Sequence, residues 1–460
     1  MIRTNMESSY TRSTTSSSVG LSSQETTPQR RSLTKDLGGL CRLSTDAVHK
    51  MTELVEAQHS RLDWVANCFF CDRGADRVSN PIAALVYKSI YTINAVVGTS
   101  FEYAVTQLEP LLGEEVAPTQ RLETAMAVLN GVIGDYLHAQ QNPLAIQMLW
   151  RTLSDDDDDG SSSQSTINTG TSNATRTGTT TTVQPKHYVL LIHGSCNSPA
   201  DWWQDGHNHG IALAKELDMV PLFLHYNTGL HISVNGRLLS QSIQRLVDDE
   251  KTARISIIAH SMGGLVARSA CYYAAQEEGS EPQQQSSSAS WINNLDHLIT
   301  LGSPHHGAML ERGGKLVDAV LGAHRFTEPI SWLTKIRSDG VMDLGYGNVR
   351  DDDWSGHDES TNSTLLMPAD NRQPTPLPQT QCLAIAAVLG DDSAISNRLL
   401  GQCLRTDGLV TEDSALGTGH TSNPALNLVF HESCTMYNLS HLGLLGSQDV
   451  YKTVLCFVAT

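Results

Sequence analysis

Ser261 stands in Ile257-Ile258-Ala259-His260-Ser261-Met262-Gly263-Gly264-Leu265, an apolar run that gives way to small residues and then to helical spacing. A serine on a sharp strand-to-helix turn presents its hydroxyl to a carbonyl carbon. The backbones converge there, so the residues two before and two after it must be very small. Gly263 meets that demand fully and Ala259 nearly so, which makes the pentapeptide a variant of the G-x-S-x-G pattern. Attack on a carbonyl builds negative charge on oxygen, and two preorganised backbone N–H groups must receive it. Met262, directly after the serine, supplies one; the loop Leu191-Ile192-His193-Gly194-Ser195-Cys196 supplies the other, from Ser195 or Cys196. His193, Gly194 and His260 then fall beside the reacting carbonyl as candidate substrate-binding residues.

A serine hydroxyl is a weak nucleophile until a base takes its proton, and the base needs a carboxylate to orient it. Acid and then histidine follow the serine in such sheets. His441, in Asn438-Leu439-Ser440-His441-Leu442-Gly443, lies just past the last predicted strand and is preferred over His420 and His431. Asp407, in Thr406-Asp407-Gly408-Leu409-Val410, sits on a turn that the glycine tightens. Asp391 and Asp392, at the tip of the preceding strand, stay open as rival acids, with Asp413 behind them.

These residues need a sheet to hold them. From residue 186 onward, short apolar runs alternate with amphipathic helices, the pattern of a mostly parallel sheet covered on both faces. Strands are predicted at 187–192, 220–225, 254–258, 295–301, 382–388 and 426–430, and helices at 210–217, 237–249 and 262–276. Residues 36–153 carry helical spacing, as in Val48, Met51, Leu54 and Val55, and predict a small all-helical domain. Residues 1–35 read as a disordered tail. Residues 154–185, five aspartates running into Ser, Thr and Gly, read as a flexible linker. The α/β domain spans 186–460, with inserts at 278–290 and 351–381. Apolar residues at helical spacing between 308 and 340 are read either as a lid over an acyl pocket or as ordinary packed helices.

Composition excludes several classes. The chain has 460 residues and a formal net charge of −18, which repels nucleic acid and anionic membrane surfaces. No apolar run is long enough for a spanning helix, and peripheral membrane contact stays open. The nine cysteines are scattered, as reduced buried thiols would be. Cys68 and Cys71 have CxxC spacing without further ligands, and His207 and His209 form an H-x-H better read as a helix start than a metal site. No metal and no cofactor are expected. With no secretory apolar core near the start, the default address is cytoplasmic, and the arginine-rich first residues leave organelle targeting open.

Residues 186–460 resemble an α/β-hydrolase of the esterase/lipase class. More narrowly they are similar to the GPI inositol-deacylase-like and triacylglycerol-lipase-like groups. The residues that carry the likeness are His193-Gly194, the elbow around Ser261, Leu301-Gly302-Ser303-Pro304-His305-His306-Gly307-Ala308, Asp407-Gly408-Leu409-Val410 and His441. The stretch from Leu224 to Arg237, with the helical region before it, is similar to uncharacterised bacterial-type esterase/lipase proteins. The resemblance implies ester hydrolysis through Ser261, Asp407 and His441. It also implies a small-molecule or lipid ester substrate; the absence of a spanning run sets this chain apart from the membrane-embedded inositol deacylases. His305 and His306 are candidate pocket residues on the same sheet edge. The contrasting expectation is a catalytically silent scaffold whose helical domain binds a protein or lipid partner or forms oligomers.

Overall fold

The computed structural model describes residues 35–50, 52–53, 88, 91, 120–153, 165–166, 185–278, 290–308, 338–355, 372–390, 405–420 and 423–460. The tail, Cys68 and Cys71, most of the linker, the interior of the 278–290 insert, residues 309–337 of the expected lid, and Asp391 and Asp392 lie outside them.

An eight-stranded sheet runs in the order β2-β1-β4-β3-β5-β6-β7-β8. Its strands are β1 (Leu149–Thr152), β2 (Ser165–Thr166), β3 (His187–Ile192), β4 (Val220–His225), β5 (Arg254–His260), β6 (Leu295–Leu301), β7 (Gln381–Val388) and β8 (Glu432–Tyr437). From β4 through β8 neighbouring strands are parallel, while β1 pairs antiparallel to both β4 and β2. The helices are α1 (residues 35–50), α2 (Gln120–Ala139), α3 (His209–Leu217), α4 (Ile232–Asp249), α5 (Met262–Glu278), α6 (Asp339–Tyr346), α7 (Asp351–Trp354), α8 (Glu412–Ala415) and α9 (Gln448–Val458). Among the described residues no helix is long and apolar enough to cross a membrane.

Period-two alternation sorts the strand residues onto two faces. Leu190, Ile192, Leu222, Ile257 and Ala259 meet Leu239, Ile243, Leu265 and Val266 of α4 and α5. Val189, Leu191, Phe223, Ile258 and Ile299 meet Leu213 of α3 and Val450, Val454 and Phe457 of α9. Each such side chain, fully withdrawn from water, contributes roughly 1.5–3 kcal/mol. This two-sided burial explains why the strands read as unbroken apolar runs. α4 and α5 approach closely because Gly236 leaves room: a Cβ there would stand 2.2 Å from the Ser269 hydroxyl.

Several expectations are corrected. Residues 149–152 fall inside the stretch read as helical yet form β1, because Trp150 and Arg151 pair with Leu224 and Phe223 at the sheet edge. Ser165–Thr166, inside the expected linker, pairs with β1 as β2. The last strand is Glu432–Tyr437, not 426–430; its polar, half-exposed residues at the other edge hid it, and residues 424–426 make a short 3₁₀ turn instead. The 351–381 insert begins with α7 and ends in β7. Asp353 in it is buried, its carboxylate accepting from the Val349 and Arg350 N–H groups at 2.9 Å, so the run Asp351 to Asp353 is more than a solvated acidic patch.

Candidate active site

The strand order reverses between β3 and β5, and at such a switch point the loops leaving the two strands diverge around a crevice. The loop after β3 carries His193 to Asn197, and the turn after β5 carries Ser261. The two touch: a Cβ on Gly194 would lie 2.9 Å from Ser261 Cβ and 3.5 Å from its Oγ. Ser261 has φ of +55°, the left-handed conformation expected of a strained elbow. Its N–H donates to Leu301 O at 2.9 Å. Gly263 is required in this turn, because a Cβ there would be 2.5 Å from Ile192 O. Met262 is the first residue of α5, so its N–H has no acceptor within the helix.

Asp407 and His441 meet on the neighbouring strands' side. The His441 Nδ1–H donates to Asp407 Oδ2 at 2.6 Å, and the His441 backbone N–H donates to Asp407 O at 3.1 Å. Oδ1 of the same carboxylate accepts from the Leu409 and Val410 N–H groups at 2.9 and 2.8 Å. A carboxylate on Nδ1 fixes the tautomer and leaves the Nε2 lone pair as the basic site. Both residues are buried. The imidazole is seated against Gly302, where φ is +59° and a Cβ would come within 3.1 Å of Nδ1. Because Gly302 follows Leu301, which holds the Ser261 N–H, serine and imidazole flank the same β6 end. Gly302 escaped the sequence reading as a site residue, although its place in a Leu-Gly-Ser strand end was the available signal.

The rival bases are occupied elsewhere. His431 Nδ1 accepts from the Cys382 N–H at 3.1 Å, and His420 Nδ1 from the Asn423 N–H at 3.1 Å. Asp413 is exposed on α8. Of the two loop amides, Cys196 N–H is committed to Thr228 Oγ1 at 3.1 Å. Among the described residues the Ser195 N–H has no acceptor, so geometry favours Ser195 over Cys196 as the second donor.

The other histidines do supporting work. His193 is buried, its Nδ1–H on Gly194 O at 2.9 Å and its ring 4.6 Å from that of Tyr226, whose hydroxyl donates to His193 O at 2.8 Å. The His260 Nε2–H donates to His441 O at 3.1 Å and so holds the base's backbone. His305 is buried between Arg268 Nη1 at 3.3 Å and Thr300 Oγ1 at 3.4 Å. His306 is half-buried against the His420 ring, 5.0 Å between centroids. His209 opens α3 behind the N-cap Asn208, whose side chain accepts from the Ile211 N–H, which settles His207-Asn208-His209 as a helix start. Among the described residues, His187, Asp296 and His297 are the group with three metal-capable side chains in mutual reach, at the opposite edge of the sheet. Ser256 Oγ bridges the two imidazoles at 2.8 and 3.0 Å, and Arg254 holds Asp296 at 2.6 Å.

Burial pushes His193 and His209 down to about 4, and holds His260 and His305 well below the ordinary histidine value. The unfolded chain protonates these rings first, near 6.5, so below that pH it binds more protons than the folded state and stability falls with pH. For His193 and His209 the loss accumulates down to about pH 4 and reaches at most about 3 kcal/mol each. His231 opposes it. Burial works against its charge, but Asp343, Asp339 and Asp135 together outweigh burial and raise it, a contribution present at low pH and lost as pH rises through the raised value. Melting temperature is expected to drop steeply between pH 6.5 and 4, checked by calorimetry; a flat profile would show that these rings are hydrated in the folded state.

Residues 182–321 match the family described as "Putative serine esterase (DUF676)". That segment holds β3, the loop at Ser195 and the Ser261 elbow. No curated protein matches the chain. Among solved structures it is similar to the mature form of Bacillus licheniformis lipase BlEst2, at 16% identity over 59% of this chain and 94% of that one, with a TM-score of 0.37. Lipase 1 from Pelosinus fermentans follows at 12% identity over 60% and 99%, TM-score 0.35. An enol-lactonase from Burkholderia xenovorans LB400 stands at 14% over 60% and 93%, TM-score 0.32. The parallel strands β4-β3-β5-β6-β7-β8, with helices on both faces, an antiparallel edge strand and Ser261 on the turn after β5, make the α/β-hydrolase fold on the chain's own topology.

Proposed function

We propose that this chain is a serine hydrolase of carboxylic esters acting through Ser261, His441 and Asp407. The observation that carries the reading is the buried 2.6 Å His441–Asp407 pair beside a serine held at positive φ on a strand-to-helix turn. Ser261 Oγ attacks the ester carbonyl carbon while His441 Nε2 takes its proton. The N–H groups of Met262 and Ser195 receive the charge on oxygen. The tetrahedral adduct collapses, the alcohol leaves with the proton from His441, and an acyl-serine remains. Water, deprotonated by the same imidazole, attacks that ester and releases the carboxylic acid and Ser261. Every proton is returned, so the cycle runs without a cofactor.

The substrate is a small-molecule or lipid ester, and the narrower likeness to inositol-deacylase-like and lipase-like groups adds long-chain and phospholipid-type esters to those worth testing. A cytoplasmic setting and peripheral membrane contact belong to the same proposal. The test is a p-nitrophenyl ester series of increasing chain length with fluorophosphonate labelling and mapping of the labelled peptide. Turnover with label on Ser261 is expected. A protein that neither turns over esters nor takes label is the silent scaffold instead.

A further inference from the structure

Helix α2 meets the hydrolase body at the loop proposed to carry the second oxyanion donor. A Cβ on Gly131 would stand 2.2 Å from Cys196 Sγ and 3.1 Å from its Cα. A Cβ on Gly134 would stand 1.9 Å from Asn227 Oδ1, and one on Gly229 would stand 2.2 Å from Asn130 O. Real side chains do not make such contacts, so three glycines are needed for one interface. The helix itself breaks there, at Ile133, with φ of −136° and ψ of 23° between the two glycines.

The backbone groups around the break are taken up by the body. Gly131 O accepts from Ser338 Oγ at 2.6 Å, and Gly134 O accepts from Asn227 Nδ2 at 2.9 Å. On the far side of the same loop, the Cys196 N–H is held by Thr228 Oγ1 at 3.1 Å, one residue beyond Asn227. Cys196 is buried and sits at φ +60°, a conformation that a non-glycine residue keeps only when its surroundings impose it. The loop is therefore clamped between α2 and the segment 226–230.

We propose that the α2 break, with Gly131 at its contact point, is a positioning element of the oxyanion pocket: it presses Cys196 into the left-handed conformation that aims the neighbouring Ser195 N–H at the substrate oxygen. The inference rests on the proposed acyl-transfer reading. It gives residues 120–139 a part in the reaction without contact with substrate, which makes Gly131 a positioning residue and not a catalytic one.

The test is Gly131→Ala in the full chain. Its methyl group must displace Cys196, and with it the amide of Ser195; loss of one oxyanion donor lowers kcat by roughly 100-fold or more. The expected result is that fall in kcat with KM within about threefold of wild type, an equally slowed fluorophosphonate reaction, and an unchanged circular-dichroism spectrum. Adding Cys196→Ala removes the Sγ that the new methyl meets, so the double variant is expected to recover at least about tenfold over Gly131→Ala. Should Gly131→Ala fail to fold, Ser338→Ala decides, with Ser338→Gly, which keeps more of the N-cap preference of α6 than Ala does, as its control: both remove the bond to Gly131 O without adding volume, and kcat is expected to fall by about tenfold in both at constant KM. A folded Gly131→Ala with wild-type kcat, a loss confined to KM, a double variant without recovery, or wild-type kcat in Ser338→Ala overturns the inference. An active, labelled wild type with an indifferent Gly131→Ala defeats this inference alone, whereas a wild type that neither turns over nor labels defeats the reading of function with it.

Discussion

Ser261→Ala is expected to lower ester turnover by roughly 10⁴- to 10⁶-fold, because without a nucleophile only the oxyanion donors and substrate binding are left to act on water. The alanine keeps the Cβ that packs beside Gly194, so the loss belongs to chemistry and not to folding. Melting temperature separates the two. Ser261 occupies φ of +55°, which costs a residue with a Cβ about 1 kcal/mol or more. Ser261→Gly is therefore expected to be equally inactive yet more stable than wild type, a trade of stability for reactivity that thermal denaturation reads directly. If Ser261→Ala retained more than about one hundredth of wild-type kcat, or still took up fluorophosphonate, the nucleophile would be another residue.

The part of the site carried by local spacing was legible in the sequence. Small residues around Ser261 and the glycine after Asp407 are demanded by backbone sterics within a few positions, so that part of the candidate pattern survives without knowledge of the fold; His441 was read from the order of serine, acid and histidine along such a sheet. The central strands were legible for the same reason: burial on both faces writes an unbroken apolar run. Features set by distant contacts were not legible. Leu149–Thr152 looks helical by spacing and becomes a strand only because the edge of β4 is there to pair with. β8 is an edge strand with exposed Glu432 and Ser433, and its composition carries no core signal. The choice between Ser195 and Cys196 depends on Thr228, 32 residues further on in sequence than Cys196. The contact of His305 with the buried Arg268, 37 residues earlier, was likewise invisible in the motif that holds it.

Asp407→Asn probes the remaining element. The Asp407 carboxylate serves three donors: Oδ1 takes the Leu409 and Val410 N–H groups, and Oδ2 takes the Nδ1–H of His441. An asparagine can keep its oxygen on the two backbone amides only by turning its NH₂ toward His441. Flipping it would set NH₂ against two N–H groups in a buried turn, which costs more than the single bond regained. The imidazole must then accept at Nδ1, which moves its proton to Nε2 and leaves no lone pair for the Ser261 hydroxyl. A loss of about 10⁴-fold in kcat is expected from this tautomer change, with the fold retained. Combining Asp407→Asn with His441→Ala should cost little more than His441→Ala alone, since an orienting group has nothing left to orient. Additive losses, or an Asp407→Asn enzyme within tenfold of wild type, would move the acid elsewhere, and Asp391 and Asp392, which follow β7 in sequence, would be the next positions to replace.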